Sequence, residues 1–264
     1  MTSDPATTAP AARPRAEWVA RALAVVFALF WGVLFFGLVD LATAVAEDPR
    51  FRHFLLVEAG WGLLYTVLVM LPLLAWAVRP AATILLQQVL AAAAAVLVAA
   101  VAGFAPGQVL PALFLEVSAF VPALVARRSL RFPPLSLRSC HPLLAVLSLI
   151  ALIGAVAYAV VVLRHAYAGV ADDDTWGLAH LPMQAGFGLT IAGATVVVAL
   201  AQGAGQPRWR VGTVFPALAA AGLGAFSLRW PDELASLGVT GGAAALVWAV
   251  ALLVLPLVVR DRPA

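Results

Sequence analysis

Apolar runs of about twenty residues, separated by short polar connections, recur along the whole chain. Eight stretches are readable: Trp18 to Ala46, Phe54 to Val78, Ala81 to Phe104, Gln108 to Ala126, His141 to Leu163, Trp176 to Ala201, Val211 to Leu228 and Leu237 to Val259. A helix needs about 20 apolar residues to cross a bilayer's hydrocarbon, and each stretch is close to that length or longer. Lipid offers no water to satisfy backbone N–H and C=O groups, so the pattern predicts helices. The first stretch, preceded by Arg13 and Arg15 and ending in Ala44-Val45-Ala46, imitates a secretory signal with a small-residue cleavage site. Its length is well beyond a signal core, so it is expected to stay as the first helix.

A second pattern lies on top of the first. Glu58-Ala59-Gly60-Trp61-Gly62-Leu63 returns as Gln184-Ala185-Gly186-Phe187-Gly188-Leu189. Upstream, Val45-Ala46-Glu47-Asp48 is answered by Val170-Ala171-Asp172-Asp173. The expectation is an all-α polytopic membrane protein whose eight transmembrane helices form two four-helix repeats. An even number of spans per copy sets both copies the same way up, as parallel repeats about an axis along the membrane normal. This divides the chain into a disordered tail at 1–16, a first repeat at 17–128, a linker at 129–140 and a second repeat at 141–264. Weaker echoes are Pro122 to Arg127 against Pro256 to Arg260, at the ends of the two copies.

Composition agrees with the pattern. The chain is 64% hydrophobic and 11% charged, with a mean hydropathy of +1.01, whereas a soluble domain carries about 25% charged residues. All basic residues are arginines. Without lysine, a Schiff-base cofactor and a P-loop are both excluded. The single Cys140 excludes an internal disulfide and a multi-cysteine metal site. The net charge of +3 comes from arginines in loops and at helix ends, which signals orientation and gives no support to nucleic-acid binding.

With a cytoplasmic N-terminus, the inner segments hold Arg13, Arg15, Arg21, Arg79, Arg127, Arg128, Arg131, Arg138, Arg208, Arg210, Arg260 and Arg262. The outer ones hold Arg50, Arg52, Arg164 and Arg229, so the division is 12 to 4. The positive-inside rule then places both termini in the cytoplasm of a plasma membrane, and the alanine-arginine bias suggests a bacterial inner membrane. Arg127, Arg128, Arg131 and Arg138 are expected to rest on anionic lipid headgroups.

Charged groups are expensive inside a span, which makes their placement informative. Asp40, Glu58 and Glu116 fall roughly 6 to 12 Å below the outer boundary at 1.5 Å per helical residue. His180 and Gln184 share that level, and His53 and His165 sit at the outer mouth. Asp40, Glu58, Glu116, His180 and Gln184 therefore form the candidate site, an outward-facing polar cavity for a small solute, cation or proton. Glu116 has no neighbouring arginine, so it needs a partner on another helix, water or a proton. In the repeat alignment Glu58 answers to Gln184 and Asp40 to His165, as in a duplicated scaffold with one specialised half.

His53, His165 and His180 are the candidate ligands for a metal, and His165 with His180 for a haem. Neither an H-E-x-x-H nor a C-x-x-C-H spacing is present, so no cofactor is expected. Gly60, Gly62, Gly186 and Gly188 suit close helix packing, with the second and sixth helices as the central pair. Asp174 or Thr175 is expected to cap the sixth helix, and His141 the fifth. Three functional readings remain open: a small-solute or cation/proton permease, a non-transporting scaffold or complex subunit assembling with itself or another membrane protein, and a metal- or haem-binding redox component. No catalytic motif supports an enzyme.

Overall fold

The computed structural model describes residues 14–132, 139–172 and 174–259. The expected tail at residues 1–13, and Arg138, Arg260 and Arg262, lie outside the described residues. Among the described residues, eight helices are long and apolar enough to cross a membrane: span 1 (Arg15–Leu34), span 2 (Leu55–Val78), span 3 (Ile84–Ala102), span 4 (Pro106–Val125), span 5 (Pro142–Tyr167), span 6 (His180–Gly203), span 7 (Trp209–Arg229) and span 8 (Gly238–Val258). Helix already begins at Pro14, three residues inside the segment expected to be tail.

Spans 2, 3 and 6 are the most enclosed, whereas spans 1, 5 and 8 turn much of their surface outwards. The central packing is not the pairing of spans 2 and 6 that the glycines suggested. Span 6 packs mainly along spans 3 and 5, and span 7 lies along span 8 and the middle of span 2. The glycines account for this. Gly186 faces Val96 and Ala99 of span 3, Gly188 faces the Tyr158 ring of span 5, and Gly60 alone of the four faces span 6, at Gln184. Gly62 faces the backbone of Leu41, where a Cβ would come within 2.5 Å of the Leu41 nitrogen. Small residues thus admit four different neighbours, because lipid tails offer helices no hydrophobic incentive and close contact must supply it.

The first apolar stretch is not one helix. It widens into a π-helical turn at Phe30–Leu34, breaks, and resumes as a separate helix at Gly37–Val45. Phe36, with φ 64° and ψ 6°, takes a left-handed conformation at the break. An interrupted helix leaves backbone carbonyls without their usual partners, which is costly away from water. Trp61 answers this by donating its indole N–H to the Phe35 carbonyl at 3.1 Å. The short second helix carries Asp40 and packs on span 2.

A hairpin precedes span 6. Strands β1 (Asp174–Thr175) and β2 (Leu178–Ala179) pair antiparallel around the two-residue turn Trp176-Gly177. Both turn residues have positive φ, 56° and 77°, as a type I′ hairpin requires. The insertion moves the start of span 6 to His180, so neither Asp174 nor Thr175 is its cap. Asp172 reaches over instead and its Oδ2 accepts the Leu181 N–H at 2.6 Å. At span 5 the expected cap is in place: His141 Nδ1 accepts from the Leu143 N–H at 3.3 Å.

Candidate functional site

The helix break and the hairpin meet at the N-terminal ends of spans 2 and 6 and line an open cavity of about 360 Å³. Asp40 enters it from the short helix and Glu58 from the first turn of span 2. Both are buried, at 6% and 2% exposure. The aromatic wall is formed by Phe36, Phe51 and Trp176, and Val39, Thr43, Arg50 and Thr175 complete the lining. Val39, Arg50 and Trp176 are exposed, so the rim opens to the surroundings while the two carboxyl groups lie on the floor.

His180 stands behind Glu58. Its Nδ1 lies 3.2 Å from Glu58 Oε1, an electrostatic contact whose angle falls outside hydrogen-bonding geometry. On the other side of the ring, Nε2 is 2.8 Å from Thr175 Oγ1 at the base of the hairpin. The Trp61 ring lies over the imidazole at a centroid distance of 4.4 Å. The hexapeptide Glu58 to Leu63 thus supplies both the acid and the ring that lies over the histidine.

Arg50 does not neutralise the two acids. Its guanidinium is engaged by Asp48 at 2.6 Å, and Asp48 also accepts the Arg50 N–H to cap the 3₁₀ turn Pro49–Phe51. These hydrogen bonds, the side-chain one foremost, hold the Asp48 carboxyl at about 2 against an ordinary 3.8. The rim therefore carries a closed ion pair, and the floor carries the carboxyl groups of Asp40 and Glu58.

The remaining candidates are placed elsewhere. Gln184, one turn into span 6, donates Nε2–H to the Tyr158 hydroxyl at 2.6 Å, and that hydroxyl donates to the Ala235 carbonyl at 2.9 Å. It ties spans 5 and 6 to the segment before span 8 and does not line the cavity. Glu116 is half-buried on span 4, apart from the cavity lining, and has no hydrogen-bond or ion-pair partner among the described residues. The structure brings Asp40, Glu58 and His180 together and does not bring Glu116 to them.

The three histidines are also dispersed. His53 is exposed and accepts from Arg52 Nε at 3.0 Å, His165 ends span 5, and His180 belongs to Glu58. Among the described residues no three His, Cys, Asp or Glu side chains come close enough to hold a metal ion.

The aromatic wall was missed in the sequence. Trp176 and Phe36 look there like ordinary apolar residues, yet both adopt left-handed backbone conformations and their rings meet edge to face at 5.4 Å. One signal was available: a glycine centred in Thr175-Trp176-Gly177-Leu178 marks a hairpin turn. No family model, curated protein or solved structure matches the chain.

Proposed function

We propose that this is a multi-pass membrane protein that binds a small cation or a proton at Asp40 and Glu58 and handles it from the outer side of the membrane. The observation that carries the reading is the Glu58 carboxyl, 2% exposed, facing a cavity that it shares with Asp40. Buried carboxyl groups are costly unless a cation, a proton or a hydrogen-bond donor meets them, and inside a span they mark ion and proton paths. His180 gives Glu58 a titratable neighbour, so a proton can be shared between the two or displaced by an arriving cation.

Neighbour relations support a duplicated, parallel scaffold beneath the site. Span 1 packs on span 2 as span 5 packs on span 6, and span 3 on span 4 as span 7 on span 8. Span 3 of the first copy lies against span 6, and span 7 of the second lies against span 2. Only the first copy breaks its leading helix and carries the acids, as expected if one half has specialised. Both termini are placed in the cytoplasm on the arginine count. The exposed Arg127, Arg128 and Arg131 then rest on anionic headgroups there.

Proteoliposomes enclosing a pH-sensitive dye test the reading. A pH step across the membrane is expected to give a dye response with the wild-type protein that Glu58→Gln removes. A wild-type response no larger than that of empty liposomes, or an undiminished one in the variant, overturns the proposal.

A further inference from the structure

The polar cavity has an apolar neighbour. A groove of about 400 Å³ lies between spans 1 and 4, lined by Phe30, Trp31, Phe35, Leu110, Pro111 and Phe114 and roofed by Trp176 and Leu178 of the hairpin. Its wall is almost wholly carbon, and Leu110 at its edge is 73% exposed. Trp176 lines both spaces, so its indole borders both the aromatic groove and the cavity that holds Asp40 and Glu58.

Backbone geometry makes that indole more than filler. Trp176 has φ 56° and Phe36 has φ 64°, a conformation that costs a bulky residue free energy and persists only where the surroundings impose it. The strain holds two rings, 5.4 Å apart, over the buried acids. Phe35 completes the arrangement: its ring is edge-on to Trp176 at 5.6 Å and stacked on Trp61 at 5.3 Å, on the groove side.

We propose that the two spaces form one site for an amphiphilic organic ammonium ion, with the ammonium group between the Phe36, Phe51 and Trp176 rings over Asp40 and Glu58, and the apolar tail in the groove beyond Trp176. This rests on the cation-binding reading above and names the substrate class. Aromatic faces combined with acids recognise alkylated ammonium groups, because the ring quadrupole attracts a cation that has few N–H donors to offer. An inorganic ion would gain nothing from the groove and, being strongly hydrated, less from the rings than an alkylated ammonium does. An anionic amphiphile would meet two carboxyl groups, and a neutral one would draw no attraction from them. Each space lies within the roughly 300 to 1,000 Å³ of ordinary ligand sites. The groove edge on spans 1 and 4 gives a tail a route in from the bilayer.

Binding of radiolabelled decyltrimethylammonium to the protein in nanodiscs tests this, at measured free aqueous concentration and with empty nanodiscs subtracted. Shorter members of the series, down to tetramethylammonium, are added as competitors, together with decanol and decyl sulfate. Affinity is expected to rise about three- to fourfold for each methylene that enters the groove. Decanol and decyl sulfate should compete at least about tenfold more weakly, a gap that corresponds to one charge-dependent contact of about 1.4 kcal/mol. Asp40→Asn should weaken every ammonium ligand, while Leu110→Trp, which narrows the groove, should flatten the dependence on tail length.

Equal affinity for tetramethylammonium and decyltrimethylammonium would overturn the inference and leave the cation site standing. A length dependence unchanged by Leu110→Trp would assign the tail to the bilayer and overturn it as well. Competition by decanol as strong as by the ammonium ion would show a simple lipid crevice. Binding with the expected pattern in a protein that gives no dye response would retain the ligand class and remove the proton-coupled reading.

Discussion

Gly60 of span 2 and Gln184 of span 6 occupy each other's space: a Cβ on Gly60 would fall inside the Gln184 side-chain amide. Gln184 has nowhere to retreat without giving up its 2.6 Å hydrogen bond to Tyr158, which in turn holds the Ala235 carbonyl. Gly60→Ala should therefore destabilise the protein by about 1 to 3 kcal/mol, the usual cost of overpacking. Gln184→Ala clears the space, so the double variant should lose less than the two single changes added together. Thermal unfolding in detergent at fixed lipid content measures both, and strictly additive losses would contradict the contact.

Gly62 makes a different kind of approach. Its would-be Cβ meets the Leu41 nitrogen at 2.5 Å and Cα at 2.7 Å, which are backbone atoms that no rotamer change can move. Leu41 follows Asp40 on the short helix, so Gly62→Ala should push that helix outward and disturb the cavity floor along with the fold. The expected result is weaker cation binding from a residue that does not line the cavity. Gly188→Ala meets only the Tyr158 ring, at 2.7 Å, and should cost stability while sparing binding. Equal effects of the two substitutions on binding would separate Gly62 from the site.

How much of this could be read from the chain alone follows from what its signals encode. The apolar runs announce eight helices because crossing length and hydrogen-bond satisfaction depend on composition and little else. That Asp40, Glu58 and His180 come near one another was partly legible too, since counting residues from the loops puts Glu58 and His180 close to the starts of their spans. Which helix faces Gly186 or Gly62 was not, because a small residue says that something comes close without saying what. The break at Phe35-Phe36 was hidden for a related reason. No proline marks it, and Phe36 is left-handed under tertiary constraint in a sequence that reads as uninterrupted helix. Glu116 was grouped with the other acids by the same counting, yet on span 4 it lies apart from the cavity lining, because a residue count carries no azimuth.

Trp61 secures the break by donating to the Phe35 carbonyl at 3.1 Å, with its indole 2% exposed. Trp61→Phe keeps most of the ring and removes the donor, which leaves a buried carbonyl without this partner. A loss of about 1 to 3 kcal/mol is expected. Amide hydrogen exchange should locate the effect, with faster exchange through residues 35–40 and little change in span 3. Uniform acceleration across all spans would mean that Trp61 acts through bulk packing and has no particular hold on the break.

Glu58 Oε1 and His180 Nδ1 are each buried, neither makes a hydrogen bond, and they lie 3.2 Å apart. Each is thus the principal electrostatic compensation of the other, and removing one strands its neighbour in a site shielded from water. Glu58→Gln and His180→Gln should each be costly for that reason, while the double change removes both members and strands neither. The cycle is expected to show a coupling of about 1 to 3 kcal/mol in unfolding free energy. His180→Gln should also slow the dye response, because Glu58 loses its proton-sharing neighbour while the cavity keeps its carboxyl groups. Zero coupling in the cycle, with the dye response intact in His180→Gln, would reduce the histidine to a packing residue beneath Trp61 and leave Glu58 to act with Asp40 alone.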